Sequence, residues 1–470
     1  MDQIKKTSFA TARNTGANTA TAHPLSPITE GVALADGPLN SMKIAHLGTY
    51  PPRKCGIATY TQDVVSAVHT NTRAAQPSVI AMIAADEDPQ ATGYGWPVTH
   101  LIAQDKPEAY IAAAKAVKRA GIDLVNIQYE HGIFGGEGGN YLNFFLDELA
   151  GAVPVVVTTH TVLPKPEAVY AKALKEVAER ATRFVVLNSR ALPLLENAYG
   201  ISTKNVAVIP HGTPNVERSR RGLVRQRFAV EGQTVLSTFG LISPGKGLEH
   251  AIAAVAANAD KYPALHYYIL GATHPGIVRQ SGEAYREGLM KQAADAGIAD
   301  RIHFVNQYLA LDEVTDWLLA TDIYITPYLN PNQITSGTLA YAVAAGKPVL
   351  STPYLHAQEI LDNGRGVLTP FNDPVAMGRN LDAMLSNATW LAEMESSAWD
   401  FGRQSVWSEV AKRYGEVFAD ATGRTGNPAI AAHSPSAIAA ALDAAMVDED
   451  ALLAGRSAVG KPYAVSATRR

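Results

Sequence analysis

A chain of 470 residues exceeds what one hydrophobic core usually serves, so two domains with flanking tails are expected. Its 47% hydrophobic and 18% charged residues exclude a wholly disordered protein. A formal net charge of −4 gives no electrostatic reason to expect nucleic acid as a partner, and leaves any membrane association peripheral at most.

Residues 1–41 lack the basic-then-apolar order of a secretory signal, are rich in Ala, Thr, Asn and Ser, and read as a disordered leader. No uninterrupted apolar run of ~18 residues occurs, so no transmembrane helix is expected. The single cysteine, Cys55, leaves no internal disulfide and no cysteine-rich zinc site, and fits a reducing cytoplasm. From Met42, β-rich runs alternate with helical patterns. Strands are predicted at Lys43–Leu47, Ser78–Ile83, Leu124–Tyr129, Val153–Thr159, Phe184–Asn188 and Val206–Pro210, with helices such as Pro107–Ala120 and Lys165–Ala181 between them. The charged segment Arg218–Arg227 (RSRRGLVRQR) breaks the pattern and reads as an inter-domain linker. The alternation then restarts with strands at Thr234–Phe239, Leu265–Leu270, Ile302–Val305, Ile323–Pro327 and Val349–Ser351. Helices are expected there at Gly247–Lys261, Glu283–Ala296, Leu311–Ala320, Leu339–Ala345 and Val375–Ser386. Ser405–Phe418 has apolar residues at helical spacing and would close the fold, ahead of an Ala-rich tail with a helix suggested around Ser436–Leu453. The division is therefore 1–41, 42–217, 218–400, 401–421 and 422–470. The fold class is α/β, with two Rossmann-like domains facing across a cleft.

The chemistry-bearing residues fall at strand ends. After the first strand, Thr49–Ala58 (TYPPRKCGIA) combines Gly56, which permits close backbone approach, with Arg53 and Lys54. That suits a phosphate or sugar hydroxyls, although a surface turn reads nearly as well. Gln128–Gly132 (QYEHG) offers Glu130 and His131 as hydrogen-bonding partners of an acceptor sugar. The following Gly135–Gly139 (GGEGG) reads either as a loop that orders over bound acceptor or as a solvated turn. His160 ends the strand in Thr158–Val162 (TTHTV) facing the expected cleft; a lone histidine is more often structural than functional. Among the 13 histidines no metal spacing appears, since His211, His274 and His356 sit on separate loops.

In the second half, Gly240–Gly247 (GLISPGKG) opens a helix and carries Lys246, able to neutralise a departing diphosphate. Gly271–Pro275 (GATHP) reads as a base or ribose contact. The absence of G-x-G-x-x-G after the first strand weighs against a nicotinamide dehydrogenase. Asp322–Phe371 reads as strand, polar loop (Thr335-Ser336-Gly337-Thr338), short apolar helix ended by Gly346, then strand. Such a helix start suits a phosphate or diphosphate, while an ordinary connection needing small residues for packing fits equally.

Together these loops resemble the retaining glycosyltransferases of family 4, which have the two-domain GT-B fold. The likeness runs from about Met42 to Phe418 and rests on Tyr50–Gly56, Thr158–Thr161, Val208–Gly212, Gly240–Gly247 and Asp322–Pro374. The resemblance implies transfer of a hexose from a nucleotide sugar to a carbohydrate or glycolipid acceptor, with retained configuration and neither metal nor cofactor. It assigns His160 to the transferred sugar, Lys246 to the diphosphate, and Glu359 to the end of the C-terminal signature. Two departures mark a divergent branch. Leu241 stands where the family usually has arginine. The family's paired glutamates, eight positions apart, fall on Gln333 and Tyr341. Gln333 still hydrogen-bonds sugar hydroxyls, whereas Tyr341 cannot chelate a ribose as a carboxylate does. The expected set is thus His160, Lys246 and Gln333 for catalysis. Gly56, Leu241, Ser336, Gly337, Thr338, Tyr341 and Glu359 are expected to hold the donor, and Arg53, Glu130 and His131 the acceptor. Losing the ribose carboxylate leaves open a glycoside phosphorylase that uses inorganic phosphate. A non-catalytic sugar-binding protein is the third reading, opposed by the retained His160 and Lys246.

Overall fold

The computed structural model describes residues 37–424 apart from 38, 86 and 89–92. The expected leader before residue 37 and the helix suggested around Ser436–Leu453 lie outside the described residues.

The first half contains β1 (Ile44–Gly48), α1 (Gly56–Asn71), β2 (Ser78–Ile83), β3 (Val98–Ala103), α2 (Pro107–Arg119), β4 (Leu124–Tyr129), α3 (Leu142–Leu149), β5 (Val155–Thr159), α4 (Ala168–Arg180), β6 (Arg183–Val186), α5 (Ala191–Tyr199) and β7 (Val206–Val208). Its seven strands form one parallel sheet in the order β3-β2-β1-β4-β5-β6-β7. The central strand β4 (LVNIQY) is buried along its whole length, as a parallel strand covered on both faces must be. Ile44 lies beside Leu124 and Ala45 beside Ser78, so the chain leaves β1 in opposite directions toward β2 and β4.

The second half runs α6 (Arg221–Arg227), β8 (Thr234–Phe239), α7 (Leu248–Ala256), β9 (Leu265–Leu270), α8 (Pro275–Ser281), α9 (Ala284–Asp295), β10 (Ile302–Val305), α10 (Leu311–Ala320), β11 (Ile323–Thr326), α11 (Gly337–Ala344), β12 (Val349–Ser351), α12 (Leu355–Ile360), β13 (Gly366–Leu368), α13 (Pro374–Leu385), α14 (Ala388–Gly402) and α15 (Trp407–Ala421). Its parallel sheet is ordered β10-β9-β8-β11-β12-β13. Both sheets therefore reverse strand order at one place, between β1 and β4 and between β8 and β11. Crevices for ligands open there, at the carboxyl edges.

The structure adds α8, α12 and α14, which were not expected from the sequence, and differs from it in three further features. β3 (VTHLIA) is an edge strand with Thr99 and His100 exposed, and this polar pair interrupts the apolar run that would have marked a strand. β13 has only three residues. Arg218–Arg227 is not a bare linker but a 3-10 turn followed by α6. Arg220 and Arg227 pair with Asp316, and Arg221 and Arg225 with Asp322. Asp316 is buried, so its charge requires these partners.

α15 returns to the first half. Val410, Tyr414, Phe418 and Ala419 share a hydrophobic cluster with Leu39, Met42, Ile44, Tyr60 and Val64. The Tyr414 hydroxyl lies 3.1 Å from that of Tyr60 and 3.0 Å from Thr158 Oγ1. Gly212 makes this docking possible, because a Cβ there would lie 2.3 Å from the Trp407 ring.

Candidate functional site

On the second sheet the site is built from two loops at the β8–β11 reversal. Gly247 adopts φ +60°, and a Cβ on it would stand 2.2 Å from the Pro327 carbonyl oxygen, so glycine lets the two loops touch. Lys246 from the first loop places Nζ 3.9 Å above the Tyr328 ring of the second. Lys246 makes no ion pair among the described residues. The Tyr328 hydroxyl lies 2.8 Å from Thr338 Oγ1, which lies 3.2 Å from Ser336 Oγ. Ser336 caps α11 by accepting from Leu339 N at 3.3 Å, and its own N–H donates to His356 Nδ1 at 2.9 Å. A lysine, hydroxyls and a helix N-terminus thus converge on one cradle, a combination suited to a diphosphate. Leu241, on the same loop, adds no polar atom. The Gln333 side-chain amide donates to Thr335 O at 3.1 Å, and the Gln333 backbone carbonyl accepts from His356 N at 3.1 Å, so Gln333 braces this loop.

Across the cleft, His160 Nε2 lies 2.9 Å from Gln128 Oε1. An amide oxygen only accepts, which assigns the proton to Nε2. Burial, with His211 nearby, lowers the His160 pKa to about 3, so the ring is neutral. His211 holds its Nδ1 proton against Gly212 O at 2.8 Å, and burial lowers it to about 4. The edge of Tyr60 meets both rings, at 4.7 Å from His160 and 4.9 Å from His211. A Cβ on Gly337 would lie 2.9 Å from His211 Nε2, so this first-half histidine rests on the first residue of α11. His356, lowered by burial to about 3, orients the same helix start through Ser336. His160, His211 and His356, scattered in sequence, therefore meet here, whereas His274 caps α8 by accepting from Gly276 N. No set of three or more His, Cys, Asp or Glu among the described residues is arranged to hold a metal ion.

The remaining expected residues are placed as follows. Tyr341 is buried, with its hydroxyl 3.4 Å from Asp63 Oδ2 of α1. Burial pushes the Asp63 carboxyl up to about 7. Glu359 accepts from Ser189 N at 3.2 Å, Ser189 Oγ at 2.9 Å and Arg190 N at 3.2 Å, clasping α12 to the loop after β6. Gly56 opens α1 with free space around its Cα. Arg53 sits in the loop before it, with Nη1 buried and lacking a hydrogen-bond partner.

Glu130 and His131 line a cavity of about 470 Å³ together with Gln104, Thr161, Leu163 and Tyr170. Arg53 is not among its lining residues. The glycine run forms a packed wall of this cavity rather than a loop free to order over a ligand. A Cβ on Gly135 would lie 1.8 Å from Gln104 O, and one on Gly136 2.3 Å from the Tyr141 ring.

Sequence reasoning missed Tyr328, His211, Asp63 and the bracing role of His356. A signal for Tyr328 was present: Thr-Pro-Tyr occurs at 326–328 and again at 352–354, each after a strand. The two tyrosine rings stack at 5.3 Å and 17°.

Residues 56–214 match the family model described as Glycosyltransferase Family 4, and residues 233–387 that described as Glycosyl transferases group 1. Among curated proteins, the D-inositol 3-phosphate glycosyltransferase of Streptomyces avermitilis is 29% identical over 250 residues, covering 52% of this chain and 53% of that protein. That of Salinispora tropica is 27% identical over 342 residues, covering 67% of each. The chain spans about half the length of the first of these relatives. Among solved structures, Anabaena Alr3699/HepE in complex with UDP superposes with a TM-score of 0.64 at 17% identity, over 81% of this chain and all (100%) of that one. Sucrose-phosphate synthase from Thermosynechococcus elongatus gives 0.64 at 16% identity, over 82% and 100%. At such identities the likeness is one of fold: two Rossmann-like domains in the GT-B arrangement.

Proposed function

Since the chain belongs to the group 1 glycosyltransferases, we propose that it moves a hexose from a nucleotide-sugar donor to a carbohydrate or glycolipid acceptor with retained configuration. The observation that carries this reading is the cradle of Lys246, Tyr328, Ser336 and Thr338 at the start of α11. The UDP bound by the Anabaena protein and the glycosyl transfer named for the actinobacterial relatives support it.

In this mechanism the bond from the anomeric carbon to the diphosphate oxygen breaks while the acceptor oxygen bonds the same face of that carbon. The acceptor proton passes to a donor phosphate oxygen. Lys246, the α11 dipole and the hydroxyls of Ser336 and Thr338 stabilise the growing negative charge. Neutral His160, whose Nε2–H donates to Gln128 Oε1, presents Nδ1 as a hydrogen-bond acceptor for a hydroxyl of the transferred sugar.

Lys246→Ala tests the reading. Losing one such interaction typically removes ~2–4 kcal/mol of transition-state stabilisation. Turnover is expected to fall by two to three orders of magnitude with an unchanged melting temperature, and affinity for a nucleoside diphosphate should weaken alongside. Turnover within twofold of the parent would remove Lys246 from the site. Release of sugar 1-phosphate from a disaccharide with inorganic phosphate alone, and no nucleotide sugar with any diphosphate, would overturn the transferase in favour of a phosphorylase.

A further inference from the structure

Thr161, the residue after His160, lines the cavity at the carboxyl edge of β4, which brings that cavity beside the proposed reaction centre. Two of its side chains, Glu130 and Gln104, offer acceptors. Glu130 Oε2 accepts from Thr161 Oγ1 at 2.5 Å and Oε1 from His131 N at 3.2 Å. Each oxygen keeps a further lone pair. His131 Nδ1 lies 3.1 Å from Gly138 O, which only accepts, and 3.0 Å from the Tyr129 hydroxyl. These contacts hold the ring against the glycine run, and its Nε2 is buried out of reach of a ligand in the cavity. Gln104 Nε2 is engaged by Gly132 O at 3.1 Å and Phe134 O at 3.4 Å, which leaves its Oε1 as the atom able to bind something else. Glu130 and Gln104 thus present fixed acceptors. Tyr170, 4.9 Å from the His131 ring, adds an aromatic face. No lysine or arginine lines the cavity.

A surface rich in fixed acceptors complements a ligand rich in O–H donors. A phosphate, which brings further acceptors and about two negative charges, would meet the Glu130 carboxylate with no basic side chain among the lining residues, so like-charge repulsion disfavours it. We propose that this cavity binds an uncharged sugar or polyol as the acceptor and discriminates against the same molecule carrying a phosphate on the bound end. Glu130 and Gln104 set this preference by their acceptor atoms. The proposal rests on the transferase reading above and names its acceptor class.

Calorimetric titration of the full chain with UDP present, using glucose, mannose and myo-inositol beside their monophosphates, tests it. At least one neutral probe is expected to bind at least tenfold more tightly than its phosphorylated twin. Glu130→Gln keeps the shape and removes the charge. It is expected to weaken the neutral probe about tenfold and to narrow the gap to the phosphorylated one. Equal or tighter binding of the monophosphates, no binding by any neutral probe, or an unchanged preference in Glu130→Gln would overturn the proposal. Nucleoside diphosphate binding, measured in the same chain, separates the two readings. If it persists while the preference fails, the acceptor class falls alone; if it is absent too, the transferase reading falls with it.

Discussion

Asp63 and Tyr341 meet across the cleft with 3.4 Å between carboxylate and hydroxyl, one from α1 and the other from α11. Burial raises the Asp63 carboxyl to about 7, so near neutral pH it is shared between its protonated and ionised forms. Introducing a second carboxylate opposite it by Tyr341→Glu is expected to destabilise the protein by about 1–3 kcal/mol, without tightening nucleotide binding. Asp63→Asn in the same chain should recover most of that loss. A Tyr341→Glu protein as stable as its parent, with tighter nucleoside diphosphate binding in calorimetry, would instead reveal a ribose subsite waiting for its carboxylate. His160, Lys246 and Ser336 were legible in sequence because each ends a strand or opens a helix. Asp63, His211 and Tyr328 were not, because their roles come from packing between loops and between halves of the chain, which residue spacing does not encode.

The first turn of α11 accommodates His211 only because residue 337 is glycine. A methyl group there would crowd the imidazole at 2.9 Å, and overpacking of this kind costs about 1–3 kcal/mol. Alanine is also the better helix former, by up to about 1 kcal/mol. Gly337→Ala is therefore expected to destabilise the wild-type chain but to be neutral or stabilising in a His211→Ala background. Urea unfolding of the four proteins in this cycle gives the coupling directly, and a coupling near zero would separate the two residues. Most elements were readable from alternating β-rich and helical segments; β9 (LHYYIL) and α10 carry their apolar residues in patterns that allow little else. α6 was read as a linker because its arginines look like solvated charge until Asp316 and Asp322 supply their partners.

For the molecule as a whole, buried imidazoles dominate the acid response. Burial holds His46 well below its ordinary range, His69 and His211 at about 4, and His160 and His356 at about 3. In the unfolded chain each titrates near 6.5. Their contribution is present above that pH and is lost as the pH falls through the folded values. Asp63 has the opposite sign, since between about 4 and 7 it holds its proton only in the folded state. Five imidazoles gaining a proton on unfolding, less the one released by Asp63, leave about four between pH 6 and 4.5. The slope is then of order a few kcal/mol per pH unit. The urea midpoint is expected to drop steeply across that window, and a flat midpoint would mean these rings are hydrated in the folded protein. The two-domain plan could be read from the restart of the strand pattern near Thr234, but the cleft's contents required both halves to be seen together. α15 bears on how the protein is made. The apolar surface of Ile44, Tyr60 and Val64, near the start of the chain, waits for Val410, Tyr414 and Phe418, which a ribosome reaches more than three hundred residues later. Over that interval the first sheet therefore carries an uncovered greasy flank, a natural place for a chaperone to hold the nascent chain until its own last described helix arrives.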